Sequence, residues 1–187
     1  MDKQKIEKLA KELLEAMGED TKREGLIRTP ERVAKSFEKL FEGYEKNPED
    51  ILTEFDGENY DEMIICKNID FYSTCEHHMI PFFGRISIGY IPNKKIIGIS
   101  KLPRIVEIFS RRLQNQERMT MQIANTLNTL LKPQGVGVVV EAKHLCTMAR
   151  GVEKQNASMT TSAFTGLFKK KLKTRSEFLR LIEGFYG

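Results

Sequence analysis

Apolar positions change rhythm along the chain. Near the N-terminus Ile6, Leu9, Ala10, Leu13 and Leu14 recur every three or four residues, the spacing of an amphipathic helix, and Gly18 offers a place to end it. Thr29-Pro30 reads as a second helix start, with Thr29 as cap and Pro30 in the first turn. Val33, Phe37, Leu40 and Phe41 form its apolar stripe, and Arg32 and Lys35 fall off that stripe. Asn47-Pro48 predicts a short third helix containing Ile51 and Leu52. Residues 56–61, rich in Asp, Gly, Glu and Asn, then mark an expected boundary between a helical appendage over 1–58 and a second domain over 59–187.

From Met63 the rhythm is that of strands. Met63-Ile64-Ile65-Cys66 continues through Ile69 and Phe71 to Cys75, and Arg85 to Tyr90 alternates cleanly. After a turn at Pro92-Asn93, Ile96 to Ile99 predicts a short strand. Two helices follow. Ser100 is expected to cap the first, which carries Leu102, Ile105, Val106, Phe109 and Leu113, with Pro103 in its first turn. The second carries Met119, Ile123, Leu127 and Leu130 and stops near Pro133. Val136 to Ala142 and Ser158 to Thr165 predict a second strand pair, and Thr174 to Glu177 a capping box before a last helix. Strands, then helices, then strands predict an α+β domain rather than alternating βαβ units.

Composition narrows the functional classes only a little. In 187 residues the apolar fraction is 40%, the charged fraction 30% and the net charge +4, ordinary values for a globular protein. The densest basic run, Lys169 to Lys173, reads as a solvated connection before the last helix, so nucleic acid is not an expected partner. No stretch approaches the roughly 20 apolar residues that cross a bilayer, and the charged N-terminal helix lacks a signal-peptide core. A cytoplasmic protein with no membrane partner is therefore expected. Three cysteines do not make a disulfide framework, and a reducing compartment favours thiolate ligands.

The chemistry-bearing residues are concentrated. All three histidines lie in Cys75-Glu76-His77-His78 and His144-Leu145-Cys146, with two of the three cysteines. Cys75 and His78 are spaced to chelate one ion from a turn, and Cys146 can add a third ligand, leaving a position for water. Spacing alone leaves His77 and His78 interchangeable. Cys66, His77 or His144 could also close the site with a fourth ligand, although Cys66 sits mid-strand like a buried free thiol. Imidazoles beside an activated water suit hydrolysis with proton transfer. Ser100, Lys101 and Arg104 gather at a helix start, where free backbone N–H groups favour phosphate, and Arg150 could add a guanidinium. Gln116-Glu117 offers a carboxylate for the paired N–H donors of a guanine edge.

At Cys75 to Phe82, Gly98 to Leu102, Arg111 to Arg118, Glu141 to Cys146 and Arg150 to Val152 the chain closely resembles GTP cyclohydrolase I, in order and spacing from about Thr29 onwards. The resemblance implies zinc-dependent conversion of GTP to 7,8-dihydroneopterin triphosphate and formate, the first step of tetrahydrofolate and pterin biosynthesis. It implies the tunnelling fold, a four-stranded antiparallel sheet backed by two helices, in a homodecamer with active sites at subunit interfaces. Carried over by residue, Cys75, His78 and Cys146 resemble the zinc ligands, and His77, His144 and Ser100 the catalytic groups. Gln116 and Glu117 resemble the guanine-binding pair, with Glu117 expected to be buried. Lys101, Arg104 and Arg150 resemble triphosphate contacts, joined by Arg32 and Lys35 from a neighbouring subunit. Thr147 and Ala149 stand where the family commonly has larger apolar residues, and Pro103 where it has alanine; no candidate catalytic group is lost.

Overall fold

The computed structural model describes residues 1–183. Its contacts form two compact units, Met1–Glu42 and a second beginning at Gly43. In the first, α1 (Lys3–Ala16) is capped by Asp2, whose carboxylate accepts the Lys5 N–H at 3.0 Å, and Gly18 at φ +84 turns the chain away. α2 (Thr29–Leu40) has Pro30 in its first turn, as expected, but Arg28 holds the cap position. Thr29 is already helical, and its hydroxyl donates backwards to the Gly25 carbonyl at 3.2 Å, so it is not free to cap. α1 packs on α2, with Lys3 and Glu38 paired at 3.2 Å. Arg32 and Lys35 are exposed on α2, off its apolar stripe.

Residues 43–58, grouped with the helical appendage by composition, belong by contact to the second unit. Asn47-Pro48 begins one 3-10 turn, Pro48–Ile51, rather than an α-helix. Ile51 and Leu52 pack against the main core. β1 (Glu54–Asp56) then pairs antiparallel with β4 (Lys95–Ile97) in a small separate sheet. The polar stretch at 56–61 is thus a turn leaving β1, not a boundary between units. Tyr90 ties the small sheet to the large one by accepting the Ile97 N–H at 3.1 Å on its buried hydroxyl.

The large sheet runs β5-β2-β3-β6-β7. β2 (Ile64–Cys75), β3 (Pro81–Ile91), β6 (Gly135–His144) and β7 (Met159–Phe164) are antiparallel neighbours, as the alternation predicts. The sheet has five strands where four were expected: β5 (Leu113–Gln114) adds two residues, parallel to the end of β2. So short a strand has no periodicity to read, and Leu113, expected on the preceding helix, lies in it.

Two helices, α3 (Lys101–Ser110) and α4 (Gln116–Leu131), back one face of this sheet, α3 against β2 and α4 against β6 and β7. Ile86, Ile88, Ile105, Val106, Met119, Ile123, Leu127, Val138 and Val140 fill the space between. A bulge between Cys66 and Ile69, with Asn68 at φ +58, shifts the parity of β2. Ile64 and Cys66 before it and Ile69, Phe71 and Cys75 after it consequently all meet the same core. In β6 no bulge intervenes, and Val136, Val138, Val140, Ala142 and His144 share the helix-facing side.

Against the opposite face pack α6 (Gly166–Lys170) and α7 (Leu172–Glu183). Gly89 and Gly137 are register partners, and their missing side chains leave room for the Phe178 and Phe168 rings. A Cβ would lie 2.8 Å from Phe178 at Gly89 and 2.7 Å from Phe168 at Gly137. The run Lys169 to Lys173 is therefore largely helical, with Lys171 alone between the two helices, and the last helix begins before the expected capping box. Arg175 explains the tight junction: its guanidinium donates to the Phe168 carbonyl at 3.1 Å, satisfying an orphan acceptor at the end of α6.

Candidate metal centre and active site

Cys75 is the last residue of β2, buried beneath the helices. The chain then closes a tight turn: the Met79 N–H donates to the Cys75 carbonyl at 2.8 Å and the Cys75 N–H to the Ile80 carbonyl at 2.9 Å. Met79 at φ +55 completes the reversal. His78 is folded back over the thiol, with Nδ1 3.8 Å from Cys75 Sγ. From the other side, β6 ends at His144 and the single turn α5 (Leu145–Met148) swings Cys146 inward. The donor atoms of Cys75, His78 and Cys146 all lie within 4.8 Å of one another.

Those separations suit a zinc ion. Tetrahedral bonds of about 2.3 Å to sulfur and 2.1 Å to nitrogen place such donors roughly 3.6 Å apart. Burial, followed by the adjacent Cys75 thiol, pushes the Cys146 thiol up, while Arg150 pulls it down. A bound cation would favour both thiolates and relieve that cost. Cys66 lies elsewhere in β2 and does not join the group; burial also raises its thiol. His77 is exposed, with Nδ1 4.0 Å from Cys75 Sγ and Nε2 3.8 Å from a Glu76 carboxylate oxygen.

A polar clamp that sequence reading did not assign holds this turn. Glu76 accepts from Asn115 Nδ2 at 3.0 Å and pairs with Arg118, whose Nε donates to Gln114 Oε1 at 3.1 Å. Asn115 also caps α4 by accepting the Arg118 N–H at 2.8 Å. The hydrogen bond from Arg118 chiefly holds the Glu76 carboxyl below its usual range. These partners are some 40 positions apart in sequence, which hid the pairing; only the Asn at a helix start was a legible signal.

His144 is half-buried between two fixed groups. Its ring stacks on Phe82 at 4.6 Å and 3°, as the cross-strand register of the two residues demands. Its Nε2 lies 2.8 Å from Gln116 Oε1. Burial lowers the His144 pKa, and Glu117 partly opposes this. Gln116, expected at a guanine edge, is 1% exposed and its amide is committed to the protein. Glu117, expected to be buried, is exposed at the start of α4 because it follows Gln116 onto the next helical face.

Ser100 precedes α3 in helical conformation, exposed and without a side-chain capping bond, so its hydroxyl is not spent on the helix. Lys101 is half-buried and Arg104 exposed on the same first turn. Among the described residues, no hydrogen bond or ion pair joins these three to the cysteine–histidine group. Arg150 is exposed in the loop after α5.

A family model described as GTP cyclohydrolase I matches residues 6–183. The chain belongs to the GTP cyclohydrolase I family. A relative named GTP cyclohydrolase 1 from Wolinella succinogenes is 55% identical over 175 residues, covering 93% of this chain and 94% of that one. One of the same name from Parabacteroides distasonis is 56% identical over 92% of this chain and 89% of its own. One from Campylobacter jejuni is 52% identical over 95% and 94%. Among solved structures, the archaeosine synthase QueF-Like in its apo form aligns with TM-score 0.45 and 17% identity over 56% of this chain and 93% of that one, too slight a likeness to bear on the fold. GTP cyclohydrolase I membership makes this a hydrolase family acting on GTP. Among the described residues no helix is long and apolar enough to cross a membrane.

Proposed function

We propose that this chain hydrolyses and rearranges GTP to 7,8-dihydroneopterin triphosphate, releasing C8 as formate, with zinc held by Cys75, His78 and Cys146. The observation that carries the reading is the convergence of those three donors within 4.8 Å, with His144 at the end of the strand that leads into Cys146. Bound there, zinc supplies an acidified water at neutral pH. His144 is placed to take a proton from that water and pass it on to guanine N7. His77, exposed on the turn, and the free hydroxyl of Ser100 serve the opening of the ribose and the later rearrangement.

Glu117 is the side chain free to accept guanine's paired N–H donors; adenine, lacking them, would leave that carboxylate unpaired under the base. Lys101, Arg104 and Arg150 hold the triphosphate away from the reacting ring, so that its binding energy orients the base. Arg32 and Lys35 join them from a neighbouring subunit. The assembly is a homodecamer of tunnelling-fold subunits in the cytoplasm, serving pterin and tetrahydrofolate synthesis. β7 and most of β2 lie at the edges of the sheet, where another copy can continue the ladder, which supports this reading. Incubating metal-loaded protein with GTP should yield formate and, after oxidation, fluorescent neopterin, both abolished by a chelator. Neither product appearing would sink the proposal.

A further inference from the structure

Gln116 stands at the centre of a hydrogen-bond array that fixes which end of its amide meets which partner. Its Nε2 lies 3.1 Å from the Val140 carbonyl and 2.9 Å from the Met159 carbonyl. Carbonyl oxygens only accept, so the NH2 end of the amide must be the one facing them. The array closes on itself. Thr120 donates its hydroxyl to the Gln116 backbone carbonyl at 2.7 Å, so the 2.7 Å contact between Thr120 and Thr161 takes its proton from Thr161. Thr161 Oγ1 is thereby left as an acceptor 3.1 Å from Gln116 Nε2, whose two N–H groups are shared among it and the two carbonyls. The amide is not free to flip, and Oε1 is the atom presented to His144 Nε2 at 2.8 Å.

We propose that Gln116 is a positioning residue that fixes His144 as the Nε2–H tautomer, leaving Nδ1 as the nitrogen that exchanges a proton with substrate, and that its amide does not bind guanine. An acceptor at 2.8 Å requires a donor, and in a neutral imidazole the nitrogen that donates leaves the other as the lone pair. Phe82, parallel to the ring at 4.6 Å, holds the imidazole in the plane in which Nε2 meets Gln116 Oε1. Gln116 is also 1% exposed with both amide ends occupied; turning it toward a base would strip the buried Val140 carbonyl and the Met159 carbonyl of their donor. The catalytic half of the inference rests on the proposed proton transfer by His144. The tautomer does not.

The test uses the zinc-loaded full chain with 15N-labelled histidine. Long-range 1H–15N correlation of the neutral His144 ring should show the Nε2–H pattern in the wild type and a mixture of tautomers in Gln116→Met. The Nδ1–H pattern in the wild type overturns the inference without reference to any variant, so failure of Gln116→Met to fold leaves it falsifiable. In turnover, Gln116→Met should lower kcat by about 100-fold, the low end of general acid–base contributions. Its KM for GTP should stay within about threefold of wild type. A KM raised tenfold or more with kcat retained would make Gln116 a guanine contact and overturn the proposal. If the wild type shows Nε2–H but releases no formate, the proposed reaction fails while the positioning of His144 stands.

Discussion

Phe82 links the core to the site, and replacing it separates ring contacts from bulk. It is fully buried, lies parallel to His144 at 4.6 Å and meets Phe71 edge-on at 5.8 Å and 75°. Phe82→Leu keeps most of the volume and removes both ring pairs, each worth about 0.5–1.5 kcal/mol beyond its buried area, so the loss should be about 1–3 kcal/mol. Phe82→Ala adds the cavity and should cost about 3–5 kcal/mol. A cycle combining Phe82→Leu with His144→Ala isolates the stacked pair, with an expected coupling of about 0.5–1.5 kcal/mol. The measurement is urea unfolding of the four proteins, compared through midpoints at constant slope. Coupling below about 0.3 kcal/mol would mean that His144 is not held by the ring. A Leu variant within about 0.5 kcal/mol of wild type would refute the buried role of Phe82 itself.

Cys146→Ala should take zinc per chain from one to near zero after dialysis and abolish formate release; stoichiometric retained zinc would remove Cys146 from the ligand set. Cys66→Ala, in contrast, should leave zinc content unchanged. Because burial raises the Cys66 thiol, the fold favours its protonated form: that contribution is intact below the ordinary value of 9.0 and lost as pH rises through it toward the folded pKa. Wild type should therefore lose stability relative to Cys66→Ala above that pH, and a constant difference in urea midpoint would contradict the assignment. Gly84→Ala would put a Cβ 1.9 Å from the Glu141 carbonyl oxygen and 2.7 Å from Ala142 Cα, backbone that can yield only by parting β3 from β6. A cost of about 3 kcal/mol or more is expected, and a wild-type midpoint would refute so close an approach.

Much of the fold was legible because one-sided burial imposes a period. The alternation of Arg85 to Tyr90 and the stripe through Met119, Ile123 and Leu127 correspond to β3 and α4 with few changes. Composition misled where local polarity and tertiary contact disagree. The turn at 56–61 looked like a boundary, yet Ile51 and Leu52 on its N-terminal side pack into the second unit. The lysine run looked like a linker, yet Phe168 and Phe178 on either side of it are fully buried over two glycines.

For the site, sequence by itself narrowed the donors: three histidines and three cysteines leave few ways to build a soft metal centre, and a turn spacing brings Cys75 within reach of the His77-His78 pair. What it left open was decided by parity and register. The bulge at Asn68 turns Cys75 toward the core, and pairing of Phe82 with His144 sets the imidazole on the same side. Only the packing of α4 against β6 showed that Gln116 meets His144 while Glu117 faces outward. Neighbouring residues on a helix point about 100° apart, and no local pattern says which of the two meets the sheet.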